Sequence, residues 1–344
     1  MIPPMQRCIL LRAYPQGLPR DVDFELVDRA LTPPADGQVL VETRFLSLDP
    51  APRLRMSPAS RDVPSLPLGA TVAGRGVGIV RASRHAEWRE GEVVAGDLGW
   101  QDYAVLDPSG LRRVDPAQGP MQVALGLLGP SGIAAWCLVE AAAAIRAGET
   151  VVVAAAAGAV GSTAVQLARL RGARVVALVA SAAQARFAHE QLAATAAIDC
   201  TAPGFDEALT AALPTGADVF LDSVGGAVHE AVVERLAVHA RIVAFGYISA
   251  YNAVSGAKAE YGRIFHLIHR RATLAGFLVA DHAARFPEAQ RELAARLRDG
   301  SLRNHETIID GLERAPGAFA ALFTGDPIGK MLVRVSADAT GEAT

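Results

Sequence analysis

A patch of small residues lies within the longest apolar run of the chain, and its spacing suits the binding of a phosphate. The stretch VVVAAAAGAVGSTAVQLARLRG begins at Val151 and ends at Gly172. Within it, AAGAVG fits the pattern Gly-x-Gly-x-x-Gly with Ala156 in place of the first glycine. In a strand–turn–helix unit, the unpaired N–H groups and the positive dipole end of the helix favour a phosphate. Gly158 would let a pyrophosphate approach the backbone, and Gly161 would let the helix pack closely on the sheet.

The same small residues have a second interpretation, in which they serve only the packing of helix on sheet. A second strand-like segment, ARVVALVAS, follows the helix at the distance expected of a dinucleotide site. An NAD enzyme usually carries Asp or Glu at the end of that strand, whereas this chain has no carboxylate between Leu178 and Glu190. The segment therefore disfavours NAD and leaves room for the 2′-phosphate of NADP. The nearest cations are Arg186 and Arg174, and a solvated helix face is an equally good interpretation of Arg186.

Other kinds of site have weaker support in the sequence. The eight histidines are scattered and no Cys/His cluster has zinc-ligand spacing, so no metal is expected. The motifs Gly-x-Ser-x-Gly and Gly-x-x-x-x-Gly-Lys-Ser/Thr are absent, so neither a serine-hydrolase elbow nor a P-loop is supported. Asp222 could act as an acid, but a strand-end carboxylate that accepts backbone N–H groups is the preferred interpretation. Trp100 and Trp136 are expected to pack rather than to stack on a substrate.

Composition limits the partners and the compartment. The net charge of −3 gives no basic field for nucleic acid and no polybasic patch for a membrane surface. The three cysteines, Cys8, Cys137 and Cys200, are odd in number and far apart, which indicates a reducing compartment and hence the cytoplasm. The start MIPPMQRCILLR lacks the charged region and long apolar core of a signal peptide. Polar residues interrupt the longest apolar run, which argues against a membrane span.

The elements that must position these residues change character along the chain. At 344 residues the chain is too long for one ordinary core, so two domains are expected. Residues 1 to about 120 alternate strand-like segments with proline-marked turns, as in a β-rich domain. From about Leu125, helical segments alternate with the strand-like runs TVVVAAAA, ARVVALVA, ADVFLDSV, ARIVAFGYI and RATLAGFLV. This alternation predicts an α/β fold with a doubly wound parallel sheet.

Taken together, these segments resemble the zinc-independent medium-chain dehydrogenase/reductases, and within them the group of prostaglandin reductases and alkenal double-bond reductases. The resemblance spans nearly the whole chain and also rests on FLSLDPAPRLRM, GWQDYAVLD, LGLLGPSGIAAW, DVFLDSVGG, FGYISAYN, AGFLVADH and DGLERAPGAFAALFTGDPIGKMLV. It implies a Rossmann dinucleotide-binding domain, residues 123–301, inserted in a β-rich GroES-like catalytic domain of residues 1–122 and 302–344. The active site would lie in the cleft. The resemblance also implies a homodimer that uses NADPH to reduce the carbon–carbon double bond of α,β-unsaturated aldehydes and ketones.

The resemblance also assigns roles to single residues. Tyr251 occupies the place of the tyrosine usually given the acid role, where its hydroxyl would stabilise the enolate oxygen of a reduced enone. A loop tyrosine that only packs the cleft is the other interpretation. The residues expected to bind the cofactor are Gly158, Ala159, Val160, Gly161, Ser181, Gln184, Arg186, Ser223, Phe245, Gly246, Tyr247, Ile248, Ser249, Phe277, Leu278 and Val279.

Several positions depart from the family pattern, and most of them bear on the cofactor. The family's lysine in a Gly-Ser-x-x-Lys stretch is Gln184 here, and the asparagine of DNVGG is Ser223. A tyrosine near the adenine phosphate is Cys200, a C-terminal asparagine is Pro327, and an aromatic residue near the substrate is Ala51. Losing the lysine would erase the preference for NADPH unless an arginine replaces it. Two alternatives stay open: a family member with a degraded cofactor site that does non-redox chemistry or binds a ligand, and a quinone oxidoreductase.

Overall fold

The structure is a computed structural model that describes residues 2–58, 63–252, 264–325 and 327–336. The described residues divide into two compact units. The first is drawn from Met1–Gly126, Glu306–Phe323 and Lys330–Thr344, and the second from Leu127–His305 and Thr324–Gly329. The domain boundaries expected from the sequence remain a prediction.

The second unit is built on a six-stranded sheet in which every pair of neighbours is parallel. Its strands are β8 (Thr150–Val153), β9 (Arg174–Val179), β10 (Ala196–Asp199), β11 (Ala217–Asp222), β12 (Leu236–Ala244) and β13 (Thr273–Gly276). Their order is β10-β9-β8-β11-β12-β13, so the order reverses between β8 and β11, as in dinucleotide-binding sheets. β8 and β9 are nearly continuous runs of buried, mostly β-branched residues, because both faces of the sheet are covered. The predicted doubly wound α/β fold is confirmed.

Helices connect these strands, as the alternating pattern of the sequence requires. They are α1 (Pro130–Cys137), α2 (Ala159–Leu170), α3 (Ala182–Glu190), α4 (Phe205–Ala212), α5 (Gly226–Val233), α6 (Ile264–Arg270) and α7 (Phe286–Arg298). The apolar core includes Val152, Val176, Phe220 and Ile242 from four different strands. Trp136 of α1 is buried and donates a hydrogen bond from Nε1 to Glu292 Oε2 at 2.8 Å, which agrees with the packing role expected for it.

The first unit is rich in β structure and includes elements from both ends of the described chain. Its strands are β1 (Met5–Leu11), β2 (Phe24–Ala30), β3 (Val39–Ser47), β4 (Arg75–Ser83), β5 (Val93–Asp97), β6 (Tyr103–Leu106), β7 (Arg112–Arg113), β14 (Glu306–Asp310) and β15 (Lys330–Arg334), with helix α8 (Ala315–Ala321). β1 and β2 pair with each other, and the other strands form one sheet. Trp100 lies in its core, 1% exposed, stacked on Phe24 and edge-on to Phe319. Trp100 is therefore a packing residue, as expected.

Candidate dinucleotide site

The glycine-rich turn connects β8 to α2 and has no room for a side chain at its second glycine. A Cβ atom added to Gly161 would lie 2.3 Å from the carbonyl oxygen of Ala155 and 2.8 Å from Cα of Ala156. A Cβ at Gly158 would meet only the Ala155 oxygen, at 3.3 Å. The turn's left-handed residue is Ala155, with φ of 48°. Gly161 thus lets the helix pack against its own turn, and Gly158 leaves the backbone open.

The start of α2 leaves backbone donors available to a ligand. No side chain caps this helix, and its first intrahelical bond joins Ser162 N to Gly158 O at 2.8 Å. The amides of Ala159, Val160 and Gly161 have no acceptor among the described residues. Ala159 and Val160 are only partly buried. Three free N–H groups at the positive end of a helix suit the diphosphate of a dinucleotide, so these residues fit such a group.

The end of the neighbouring strand β9 carries the residues expected near the adenosine ribose. Ser181 caps α3, since its Oγ accepts a hydrogen bond from Gln184 N at 3.3 Å. Gln184 is 7% exposed, and its Oε1 accepts a hydrogen bond from Ala180 N at 3.0 Å. Arg186 is exposed and makes no side-chain hydrogen bond or ion pair with any described residue. Arg174 begins β9 at the opposite end of the strand and donates to Ala212 O at 2.7 Å, so it does not share this end with Ser181.

A segment from near the C-terminus joins this site. We call residues Thr324–Gly329 the strap; they belong to the second unit although the chain on either side belongs to the first. Gly329 N donates to Ala157 O at 2.7 Å, and Gly329 forms a parallel bridge with Gly158. Nε2 of Gln184 donates to Pro327 O at 2.8 Å. Sequence reasoning identified Pro327 only as a departure from the family pattern and missed the contact of the strap with the glycine-rich turn.

Asp222 organises the loop at the end of β11. Its Oδ1 accepts hydrogen bonds from Val224 N at 2.9 Å and Gly225 N at 3.0 Å. Its Oδ2 lies 2.7 Å from Nδ1 of His229. The carboxylate is buried, and both of its oxygens have partners within the protein. The structure agrees with the preferred interpretation of Asp222 as a strand-end acceptor rather than an acid.

The residues expected on the nicotinamide side follow β12 and fold back on that loop. Phe245 N donates to Asp222 O at 2.8 Å, and Ile248 N donates to Ser223 O at 3.1 Å. The ring of Tyr247 lies so close to Gly225, whose φ is +70°, that a Cβ there would be 1.7 Å from Cδ2 of the ring. Glycine is therefore required at position 225 for two independent reasons.

Tyr251 comes directly after the short 3-10 turn Ile248–Ala250 and is partly buried. Its backbone N–H donates to Ile248 O at 3.3 Å. Within the described part of the chain its hydroxyl has no hydrogen-bond partner. Residues 253–263, which follow Asn252, lie outside the described residues. The hydroxyl is thus a donor that no described group of the protein uses.

The loop after β13 contributes Phe277, Leu278 and Val279. Phe277 N donates to Ala244 O at 2.8 Å, so this loop begins beside the end of β12. The ring of Phe277 stacks on His282, with centroids 5.1 Å apart, whereas Leu278 is 63% exposed.

All of the expected cofactor residues therefore lie at one edge of the sheet. Those from Gly158 to Gly161 follow β8, Ser181 to Arg186 follow β9, and Ser223 follows β11. The remaining ones follow β12 and β13. Because every strand of the sheet runs in the same direction, these positions share its carboxyl edge, where ligands of such sheets bind. Their individual roles remain a prediction.

Metal-binding clusters and membrane-spanning helices are both absent from the described ranges. No group of three or more His, Cys, Asp or Glu side chains there is arranged to hold a metal ion. No helix in the same ranges has the length and apolar character that crossing a membrane requires.

Comparisons with known proteins agree with this architecture. Residues 7–114 match the family model described as the N-terminal domain of oxidoreductase, and residues 159–295 match the model described as zinc-binding dehydrogenase. The chain is 36% identical to the NADPH-dependent curcumin reductase of Escherichia coli over 96% of both proteins. It is 31% identical to the NADP(+)-dependent 2-alkenal reductase of Nicotiana tabacum, over 95% of this chain and 97% of that protein.

A solved structure extends the likeness to three dimensions. CurA from Vibrio vulnificus in complex with NADPH aligns with a TM-score of 0.91 and 34% sequence identity, over 96% of this chain and 99% of that one. The described architecture is therefore shared along almost the whole of both chains.

Proposed function

Because the chain belongs to the zinc-independent medium-chain dehydrogenase/reductase family of oxidoreductases, in the group of prostaglandin and alkenal reductases, we propose that it reduces the carbon–carbon double bond of α,β-unsaturated ketones or aldehydes with NADPH. The observation that carries this proposal is the glycine-rich turn, where Gly161 has no room for a Cβ and three amides have no described acceptor. The similarity of the chain to CurA, which was solved in complex with NADPH, supports the choice of cofactor. Its similarity to the curcumin and 2-alkenal reductases supports both the cofactor and the reaction.

In this proposal the amides of Ala159, Val160 and Gly161 bind the pyrophosphate. Ser181 and Arg186 lie next to the adenosine 2′-phosphate, and Arg186 supplies the positive charge because Gln184 carries none. Ser223, the segment from Phe245 to Ser249 and the segment from Phe277 to Val279 line the nicotinamide side. The direct contact of Gln184 with the cofactor stays a prediction. Both polar atoms of its side chain already have partners in the protein.

When bound, NADPH would supply the hydride that the β-carbon of the substrate receives. Reduction of an enone places negative charge on the carbonyl oxygen, so the protein needs a donor at that oxygen. We assign this donor to the hydroxyl of Tyr251, which is partly buried and has no partner within the described residues. It would stabilise the enolate oxygen by a hydrogen bond or supply a proton.

The loss of several polar cofactor contacts together is the feature that favours the alternative of a degraded cofactor site. Against it, every residue from Ala155 to Gly161 except Val160 is alanine or glycine, and the amides at the start of α2 have no acceptor among the described residues. No particular observation favours a quinone over an enone. The oxidoreductase with an intact dinucleotide site is therefore the function that the geometry supports best.

We also propose that the protein is a cytoplasmic homodimer. All three cysteines are free, as in a reducing compartment. β13 is the last strand on its side of the described sheet, and all four of its residues are exposed, which suits pairing with a second copy. Light scattering that gave the mass of one chain at micromolar concentration would contradict the dimer.

The test of the proposed function combines binding and turnover. Thermal unfolding is followed with NADPH, with NADH and with neither, and reduction of simple enones, enals and quinones is followed by the loss of reduced-nicotinamide absorbance. A ligand present at a hundredfold excess over its dissociation constant stabilises the folded state by about 2.7 kcal/mol. We expect stabilisation by NADPH and turnover of enones. No stabilisation by either nucleotide would contradict the proposal.

A further inference from the structure

We infer that Gln184 is a positioning residue of the dinucleotide site, which fastens the strap so that the strap in turn holds the glycine-rich turn in its binding conformation. This inference rests on the proposed function, because it concerns the same site. It assigns Gln184 an indirect role that does not depend on the 2′-phosphate.

The strap runs between the ends of two neighbouring strands. At Gly329 it is bonded to Ala157 O at 2.7 Å and bridged to Gly158, in the turn that follows β8. At its other end, Gly325 is so close to Ala180 after β9 that a Cβ on Gly325 would lie 2.6 Å from the Cβ of Ala180. Among the described residues of the strap, Gly329 and Gly325 thus contact the two strand ends that the proposed function assigns to the pyrophosphate and the adenosine ribose.

Gln184 holds the strap between these two contacts. Its Nε2 donates to Pro327 O at 2.8 Å, and its Oε1 accepts from Ala180 N at 3.0 Å. The side chain is 7% exposed, so water competes little for either bond. A lysine at this position could donate to Pro327 O but could not accept from Ala180 N, because an ammonium group has no acceptor. Glutamine is therefore suited to this tie in a way that the family's lysine is not.

The strap itself is restricted near its attachment to the turn. The ring of Pro327 fixes one backbone dihedral angle. Gly329 has φ of +72°, and a Cβ there would lie 2.1 Å from His305 O. Only Ile328 lies between Pro327 and Gly329, so a displacement at Pro327 is expected to reach the Gly329–Ala157 bond as well. Since Ala157 directly precedes Gly158, the amides that follow would lose their alignment for a diphosphate.

The consequence distinguishes positioning from direct contact. A residue that touches the 2′-phosphate affects NADP+ and leaves NAD+ unchanged. A residue that positions the pyrophosphate turn weakens both nucleotides by the same factor. The ratio of the two dissociation constants therefore reports the role of Gln184, and it does not require turnover.

The experiment compares Gln184→Met with a matched variant, Gln166→Met, by calorimetric titration of the full chain with NADP+ and NAD+. Gln166 is also buried, and its side chain ties α2 to Arg303. Its Nε2 donates to Arg303 O at 3.1 Å, and its Oε1 accepts from Arg303 N at 2.9 Å. We expect Gln184→Met to weaken both nucleotides about two- to tenfold, as a coupling equivalent to about one hydrogen bond implies, with their ratio unchanged. Gln166→Met should lose comparable thermal stability without that loss of affinity.

Three results would overturn the inference: weakening of NADP+ alone, which would show direct contact; no change in either nucleotide; or equal weakening by Gln166→Met, which would show a general effect of stability. If Gln184→Met does not fold, Gln184→Asn gives the same readout, because its amide is one methylene too short to reach Pro327. Failure of the proposed function itself would be seen in the unmodified chain, which would then bind neither nucleotide.

Discussion

At the scale of single residues, the loss of a positive charge at the proposed adenosine end of the site is the main departure from the family pattern. The position of the family's lysine is buried and neutral in this chain, and the amide of Gln184 is used within the protein. Arg186, two positions later on α3, is exposed and has no described partner. In the proposed function a preference for NADP over NAD therefore depends on Arg186.

We expect Arg186→Ala to weaken NADP+ about tenfold and to leave NAD+ unchanged, because a charge-assisted contact with a phosphate contributes about 1.5 kcal/mol at the low end of its range. Isothermal titration with both nucleotides measures the effect. Arg291→Ala is the matched control, since Arg291 is an exposed arginine on α7. Equal affinities of Arg186→Ala and the unmodified chain for NADP+ would remove Arg186 from the site.

The hydroxyl of Tyr251 is the second residue-scale prediction. Loss of a donor to a developing oxyanion typically costs about 2.7–4 kcal/mol of transition-state stabilisation. We expect Tyr251→Phe to lower kcat for an enone about a hundredfold or more, with the same affinity for NADPH and the same unfolding temperature. Steady-state kinetics and thermal unfolding check this. Full turnover by the variant would leave Tyr251 with a packing role only.

At the scale of elements, the two glycines of the glycine-rich turn have different structural roles. Gly161 lies where a Cβ meets backbone atoms, whereas Gly158 lies where a Cβ meets one oxygen at 3.3 Å. Gly158 also has an ordinary φ of −78°. Gly161 is therefore needed for helix packing, whereas Gly158 could take a methyl group with a shift of a few tenths of an ångström at Ala155 O.

We expect Gly161→Ala to lower the free energy of unfolding by about 1–3 kcal/mol, as overpacking does. Gly158→Ala should stay within about 1 kcal/mol of the unmodified chain but bind NADP+ more weakly, because the methyl group would face the pyrophosphate. Urea unfolding and nucleotide titration of both variants give the comparison. Unchanged binding by Gly158→Ala would place the pyrophosphate elsewhere.

Local signals were enough to predict much of this edge of the sheet. The β-branched runs predicted β8 and β9, and the small residues between them predicted the turn. The strand β10 was not recognised, because Ala196–Asp199 has only four residues and two of them are alanine. The tie between Gln184 and Pro327 was not predictable either, since it joins residues 143 positions apart and arises only once the chain is folded. The hydrogen bond between Gly329 N and Ala157 O was not predictable for the same reason.

At the scale of the whole molecule, the second unit includes residues that lie beyond most of the first unit in the sequence. Thr324–Gly329 belong to the second unit, while β14, α8 and β15 on either side belong to the first. The contacts of the strap with Gln184 and Ala157 therefore involve a part of the chain that a simple cut after β13 or α7 would remove. A fragment that ends before the strap would lack the partners of Gln184 Nε2 and Ala157 O.

The three cysteines give a prediction for the chain as a whole. Cys8 and Cys137 are buried, and burial raises the pKa of both thiols. Burial, with a smaller effect of Asp199, raises the pKa of Cys200 from 9.0 to about 12. Since the thiolate is the reactive form, we expect the folded chain to react with no more than traces of a thiol reagent at pH 8 and the denatured chain to show three thiols.

The raised pKa of Cys200 also sets the sign of a pH effect on stability. Between about pH 9 and pH 12 the unfolded chain has lost the proton that the folded chain keeps, so the free energy of unfolding falls as the pH rises, by at most about 1.4 kcal/mol per pH unit for this group. Cys200→Ala should show a shallower decline between pH 8 and pH 10 in urea unfolding. If both chains decline in parallel, or if one thiol of the folded protein titrates rapidly at pH 8, then Cys200 is more accessible to water than its place against the core of the second unit implies.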